Sequence, residues 1–167
     1  MSDKTAPSFN WTLWIEWLGA TAIGWLLGAL VLPELALFSV GLVTGILQWA
    51  VLRQRLRQAG WWILASVIGW SGSWGIVLAV APLGIGILTE PLLGAAIGTL
   101  QWLVLRRQLR QAGWWIVISS LGWTVALTGL AGQVLVGAVV GAVTGIALEL
   151  LLRYPGLMKD RKRFEEG

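Results

Sequence analysis

Two glutamines stand where an amide is costly. Gln48 and Gln101 each lie five residues before the first arginine of a basic cluster, inside apolar runs that read "GLVTGILQWAVLR" and "GAAIGTLQWLVLR". If these runs are helical, each amide sits about 7–8 Å below the level of the arginines. There it must find a hydrogen-bond partner or bear the cost of desolvation. Thr21, Ser66 and Ser119 lie at comparable depth in neighbouring apolar runs. A Gln–Thr or Gln–Ser pair across two helices would be structural glue. The other chemistry open to these groups is a polar contact to a bound ligand or solute. One form of it is an axial oxygen from Gln48 or Gln101 to the magnesium of a chlorophyll-type pigment; apart from that pigment no cofactor is expected.

Other site chemistry has little material. The chain has no Cys and no His, which removes thiol and imidazole catalysis, disulfides and the usual soft metal ligands. There is one Tyr, Tyr154, and no carboxylate pair deep in any apolar run. No enzymatic activity, catalytic residue or metal site is expected. Glu16 lies near the start of its run, and Glu149 is four residues before Arg153, a favourable helical pair. Intramembrane ionisable groups mark proton relays and ion pathways, so this pattern argues against a coupled pump.

The elements that must position these groups are membrane spans. Hydrophobic residues make up 57% of the 167 and charged residues 12%, about half of what a soluble domain carries. Six apolar segments run from 11 to 32, 35 to 52, 61 to 81, 91 to 105, 114 to 131 and 133 to 152. Each approaches the ~20 residues that cross a hydrocarbon core as a helix. Lys4, the clusters Arg53/Arg55/Arg57 and Arg106/Arg107/Arg110, and Arg153 with Lys159, Arg161, Lys162 and Arg163 all fall on one side. The opposite loops hold only Glu34 and Glu90. By the positive-inside rule both termini are cytoplasmic. The basic sequence pI follows from these orienting clusters and gives no reason to expect nucleic acid. The polar N-terminus has no basic n-region, so the first apolar run is not expected to be a cleaved signal.

The chain repeats itself. "QWAVLRQRLRQAGWW" at 48–62 returns as "QWLVLRRQLRQAGWW" at 101–115 with three of fifteen positions changed. Aligned on Gly24-Trp25, Gly69-Trp70 and Gly122-Trp123, the odd spans share Trp17, Trp62 and Trp115 seven residues upstream of the glycine and a hydroxyl three upstream. Aligned on Gly41/Gly45, Gly94/Gly98 and Gly141/Gly145, the even spans share an arginine eight residues on. That alignment puts Leu148 in the place of Gln48 and Gln101, so Gln101→Leu is expected to be nearly neutral. Each unit has two crossings, which makes the units parallel; if they close, the symmetry axis lies along the membrane normal, and an open row of hairpins is the alternative.

The basic turns have a local reading as well. Gly60 and Gly113 are expected to end the preceding helices in the left-handed conformation. Trp49, Trp61, Trp62, Trp102, Trp114 and Trp115 are expected at headgroup depth, where indoles prefer to lie. Trp25, Trp70 and Trp123 fall near mid-depth, which such a belt does not explain. They either fill wedges beside the adjacent glycines or face a ligand. Arg53, Arg55, Arg57, Arg106, Arg107 and Arg110 form the candidate site for anionic lipid or a cytoplasmic partner. Small residues at spacing four, including Gly137/Gly141/Gly145, are expected to let helix backbones approach closely.

The repeated "GxxxGxxQWxVLRxxLRQAGWW" with a following "GW", over residues 41–123, resembles a group of uncharacterised multi-span membrane proteins of cyanobacteria and some Chloroflexi. The resemblance implies a bacterial plasma or thylakoid membrane and carries no activity with it.

The sequence thus predicts an all-α integral membrane protein with six transmembrane helices in three parallel two-helix repeats, a pseudo-threefold bundle. Residues 1–10 form a cytoplasmic segment, 11–153 the transmembrane domain (repeats 11–53, 61–106 and 114–153), and 154–167 a charged cytoplasmic tail. The expected function is that of a non-enzymatic assembly or packing subunit, or a binder of lipid or pigment. Its partners would be the bilayer and a membrane protein or a second copy. The alternative is a passive channel for a small neutral solute, with Thr21, Ser66, Ser119, Gly24, Gly69 and Gly122 on its axis. Ligand contacts would come from these residues with Trp25, Gln48, Trp70, Gln101 and Trp123.

Overall fold

A computed structural model describes residues 8–31, 33–84, 88–127 and 132–153, so most of the two terminal segments lies outside it. The described residues form helices and no strands: α1 (Trp11–Trp25), α2 (Ala36–Leu52), α3 (Trp61–Val80), α4 (Thr89–Leu105), α5 (Trp114–Leu127) and α6 (Gly132–Arg153). Segments 11–30, 61–80 and 134–153 are long and apolar enough to cross a membrane, and α2 and α5 are shorter apolar helices. Consecutive helices pack on one another, and α6 returns to α1, which closes a ring of six. The closure is also tied at its rim. The Asn10 side chain caps α1 by accepting from Leu13 N (3.0 Å), while the Glu149 carboxylate on α6 accepts from Asn10 N (3.0 Å).

Local chemistry explains where the helices depart from the sequence reading. After Trp25 the first span does not remain α-helical but widens into a π-helix over Leu26–Val31. There Gly28 lies on the α2 backbone at Val40, and its carbonyl accepts from the Ser39 hydroxyl at 2.6 Å. A donor from the neighbouring helix thus satisfies a carbonyl that a regular turn would use. Gly60 and Gly113 are not left-handed; among the described glycines only Gly84 (φ 68°) and Gly132 (φ 65°) are. The basic turns close instead through leucine: Leu56 N donates to Leu52 O and Leu109 N to Leu105 O, each at 2.8 Å, with both turn leucines buried. Gly60 and Gly113 then open the following helices, their carbonyls accepting from Ile63 N and Ile116 N. The two turns are joined by Arg57 N donating to the Gln108 side chain (2.9 Å).

Small residues set the helix spacing. A Cβ at Gly41 would lie 2.7 Å from Ser66 O, and one at Gly94 would lie 2.7 Å from Ser119 O; both would crowd the Cβ of Trp70 or Trp123. On α6 the matching neighbours, Thr21 O and the Trp25 Cβ, belong to Gly137 rather than Gly141. Gly141 instead faces the Thr21 Cβ, as Gly45 and Gly98 face the Cβ of Ser66 and Ser119. The contacts of α6 are therefore one helical turn out of the register obtained by aligning Gly141/Gly145 with the other glycine pairs. Gly41, Gly94 and Gly137 are each the sixth residue of their helices, and α6, with 22 residues against 17, spends its surplus at the far end. Gly137 had been part of the small-residue stripe. The arginine spacing, which pointed to Gly141, is coincidental.

Gly94→Val tests this close approach. The added side chain strikes backbone atoms of α5, and overpacking of that kind costs about 1–3 kcal/mol. Gly72→Ala on α3, where a Cβ meets nothing within 4 Å, should leave the unfolding midpoint unchanged or slightly raised. Detergent melting curves of the two variants should separate clearly, with only Gly94→Val lowered.

Candidate functional site

The interior of the ring is built from two layers of tryptophan contributed by alternate helices. Trp17, Trp62 and Trp115 meet edge to face, with centroids 5.5–5.8 Å apart, and are 0–1% exposed. Trp25, Trp70 and Trp123 form the second layer, with centroids 5.4–5.9 Å apart and 5–8% exposed. Trp62 and Trp115 are thus core residues, contrary to their expected place in an interfacial belt, whereas their chain neighbours Trp61 (59% exposed) and Trp114 (62%) face outward. The separation follows from helical geometry: consecutive residues point about 100° apart, so a Trp-Trp pair cannot place both rings inward.

Each buried indole of the first layer is held by the preceding helix of the ring. Trp62 Nε1 donates to Gln48 Oε1 (2.9 Å), and Trp115 Nε1 to Gln101 Oε1 (2.9 Å). Trp17 Nε1 donates to Thr144 Oγ1 (2.9 Å). The glutamines use their other end as well. Gln48 Nε2 donates to Thr21 Oγ1 (3.0 Å) and Gln101 Nε2 to Ser66 Oγ (3.1 Å), so both amide–hydroxyl pairs expected from the sequence are present. Thr21 passes its own proton to Trp17 O, and Thr144 to Val140 O. Both glutamines are 5–6% exposed, and every hydroxyl in the network is likewise buried.

Thr144 is the residue the sequence reading missed. It stands three residues after Gly141, as Gln48 and Gln101 stand three after Gly45 and Gly98. The third unit therefore keeps a polar acceptor where Leu148 had been placed. Leu148 is fully buried one turn further along, in the cluster around the first tryptophan layer. It says nothing about whether leucine is tolerated opposite a core indole.

Between the layers lies a small chamber of about 40 Å³, space for one or a few water molecules. Thr21, Gln48, Ser66, Gln101, Ser119 and Thr144 line it, together with Trp25, Trp70 and Trp123. Thr44 lines it too, and its buried hydroxyl has no hydrogen-bond partner among the described residues. Three of the proposed axis residues lie elsewhere. Gly24 packs on the Thr44 backbone of α2, Gly69 on Ile97 of α4 and Gly122 on Val143 of α6. Glycine is used there to seat one helix on the next, which leaves it facing a neighbour and not the centre. The mid-depth tryptophans do fill wedges beside glycines, but those of the adjoining even helices, Gly41, Gly94 and Gly137.

The arginines are divided among several tasks. Arg53 lies over Trp49 (5.4 Å) and Arg106 over Trp102 (4.7 Å), both cation–π contacts. Arg55 pairs with Glu16 (3.4 Å), and Arg153 with Glu149 (2.6 Å). Arg57 and Arg110 are exposed on the turns. Arg107 reaches Gln58 Oε1 at 3.5 Å, at the edge of an outward groove between α3 and α4.

No protein-family model, curated protein or solved structure matches the chain. Its chemistry must therefore be read from its own residues.

Gln101→Leu is decisive for the network. The alignment with Leu148 makes it nearly neutral, with no more than the Ser66 hydroxyl losing a partner. In the structure Leu would strand the buried Trp115 Nε1–H as well, and a buried donor left unpaired costs about 1–3 kcal/mol. Gln101→Leu should lower the unfolding midpoint, and adding Trp115→Phe should recover part of the loss by removing the stranded donor. A neutral single variant would show that the Trp115–Gln101 bond carries no weight.

Proposed function

We propose that this chain is a six-span membrane protein, three parallel two-helix units around a pseudo-threefold axis, with both termini cytoplasmic. In this reading it is a non-enzymatic packing or assembly subunit that holds apolar ligand, lipid foremost, on its outer surface. The closed helix ring, the three indole bonds to Gln48, Gln101 and Thr144, and the matched glycine contacts support the threefold arrangement. The separation of Glu34 and Glu90 from all the Lys and Arg residues supports the orientation. The motif resemblance makes a bacterial plasma or thylakoid membrane the natural setting.

The observation that carries the function is the direction in which the polar groups point. Inside, the two glutamine amides, the first-layer indoles and the hydroxyls of Thr21, Ser66 and Thr144 are engaged with one another or with backbone carbonyls, the Thr44 hydroxyl being the exception, and aromatic layers cap them. Outside, the helices present Leu, Ile, Val and Trp, and two apolar grooves open there, of about 260 Å³ between α3 and α4 and about 500 Å³ between α5 and α6. Such a protein interacts through its outer face. Both ends of each glutamine amide are engaged, which weighs against either serving as an axial ligand to a pigment magnesium. The small chamber, with hydroxyls and amides set in a largely apolar wall and the unpartnered Thr44 hydroxyl among them, favours the alternative, a passive pathway for a small neutral solute.

Flux separates the two readings. Liposomes carrying the purified protein should pass water and small neutral solutes no faster than protein-free liposomes, and the protein should be colourless. Permeability that rises with protein content would instead support the pathway. For topology, cysteines introduced singly at Glu34 and Arg55 should label from opposite sides of the membrane, and labelling from one side would refute the orientation.

A further inference from the structure

The two outward grooves are the same feature built twice, and they differ at one telling position. The α3/α4 groove is lined by Gln58, Trp61 and Ile68 on one side and by Leu100, Leu103 and Val104 on the other, with Arg107 at its end. The α5/α6 groove is lined by Gln111, Trp114 and Ile118, then by Val143, Ile146 and Ala147, with Leu150 at its end. With Thr144 matched to Gln101, as their bonds to Trp17 and Trp115 require, Leu150 takes the place of Arg107. In the first unit Gln54 takes that place, and Glu16 stands where the grooves have Trp61 and Trp114. Glu16 is ion-paired with Arg55, which puts a carboxylate at the matching position. At the same depth the three faces thus carry a cation in no ion pair among the described residues, an apolar side chain, and a carboxylate balanced by an arginine.

Arg107 is the unspent charge among these. It is exposed, it belongs to neither of the ion pairs among the described residues, and its nearest polar contact is the long one to Gln58. It sits where an apolar groove meets the basic turn 106–113, beside an outward-facing indole. This is the level of lipid headgroups if the chain spans a membrane as proposed above, and the inference rests on that reading. A groove with an apolar floor and one guanidinium at its mouth matches a phospholipid whose phosphate is not balanced by a choline or an amine.

We propose that the α3/α4 groove is a binding site for one anionic phospholipid. Its acyl chain lies along Trp61, Ile68 and Leu103, and Arg107 binds the phosphate, with Gln58 as neighbouring donor. The α5/α6 groove, ended by Leu150, takes a lipid tail without selecting for headgroup charge.

The test is reconstitution of the full chain into vesicles of equal phosphatidylcholine and phosphatidylglycerol, extraction in mild detergent, and native mass spectrometry of the retained lipid. Wild type should retain one phosphatidylglycerol in about fivefold preference over phosphatidylcholine, the share one cation at a membrane surface confers. Arg107→Gln should lose that preference, whereas Arg110→Gln, on the same turn and outside the groove, should keep it. Leu150→Arg should gain a second anionic lipid by converting the α5/α6 groove. Equal retention of the two lipids by wild type, or an undiminished preference in Arg107→Gln, would overturn the proposal. A chain that does not enter the vesicles at all would instead overturn the membrane reading on which it rests.

Discussion

An indole N–H buried in a packed interior needs an acceptor, and the arrangement of this protein follows from meeting that need three times. A tryptophan brings more apolar area than any other side chain, but its donor must find a partner wherever the ring is buried. Trp17, Trp62 and Trp115 converge at the centre of the ring, and each finds its acceptor on the helix that precedes its own around the circle. Such a bond can form only if the odd and even helices lie close and in fixed register. Gly41, Gly94 and Gly137 supply the closeness; the two basic turns lock the end of α2 to α3 and of α4 to α5, and the Asn10–Glu149 bond ties α6 to α1. Closure of the ring by α6 on α1 is then required, because Trp17 has no acceptor until Thr144 arrives.

The same constraint shapes the interior and the exterior in opposite ways. With most of the buried polar side chains paired with one another or with backbone carbonyls, the outer faces are left apolar, and exposed Ile15, Ile23, Leu64, Ile68, Val117 and Leu121 belong to them. Charge is confined to the ends. There Arg53 and Arg106 rest on tryptophan faces, while on α6 a carboxylate takes over. Glu149 binds Arg153 and closes the cap of α1 through Asn10, so the last turn of α6 holds the first turn of α1. The surplus length of α6 thus has a purpose that the shorter even helices lack.

Much of this was legible in the sequence. Apolar run lengths placed the helices to within a few residues, and depth pointed to a hydroxyl on a neighbouring helix as the partner of each glutamine, though not to which hydroxyl nor to the indoles of Trp62 and Trp115 that hold the amide oxygens. The errors share one cause. Motif alignment treats residues as characters, whereas packing is decided by which face a residue occupies. Two registers of α6 were open, since Gly137, Gly141 and Gly145 all fit a spacing of four, and the terminal arginine favoured the wrong one. Placing Thr144 opposite Trp17 required knowing that an indole needed an acceptor there. The inward turn of Trp62 and Trp115 was masked by Trp61 and Trp114, which do face outward. The π-helix over Leu26–Val31 is accompanied by a bond from Ser39 to the Gly28 carbonyl, a contact between helices that no local pattern encodes.

The central claim is that three indole N–H groups are sealed within the protein and bonded there. Hydrogen–deuterium exchange of the ¹⁵N-labelled tryptophan side chains, read by NMR on the intact protein in detergent, addresses it most directly. The Nε1–H signals of Trp17, Trp62 and Trp115 should persist long after those of Trp61 and Trp114 have vanished. If Trp62 and Trp115 exchange as fast as their outward neighbours, the indoles lie at the surface and the account of the interior is wrong.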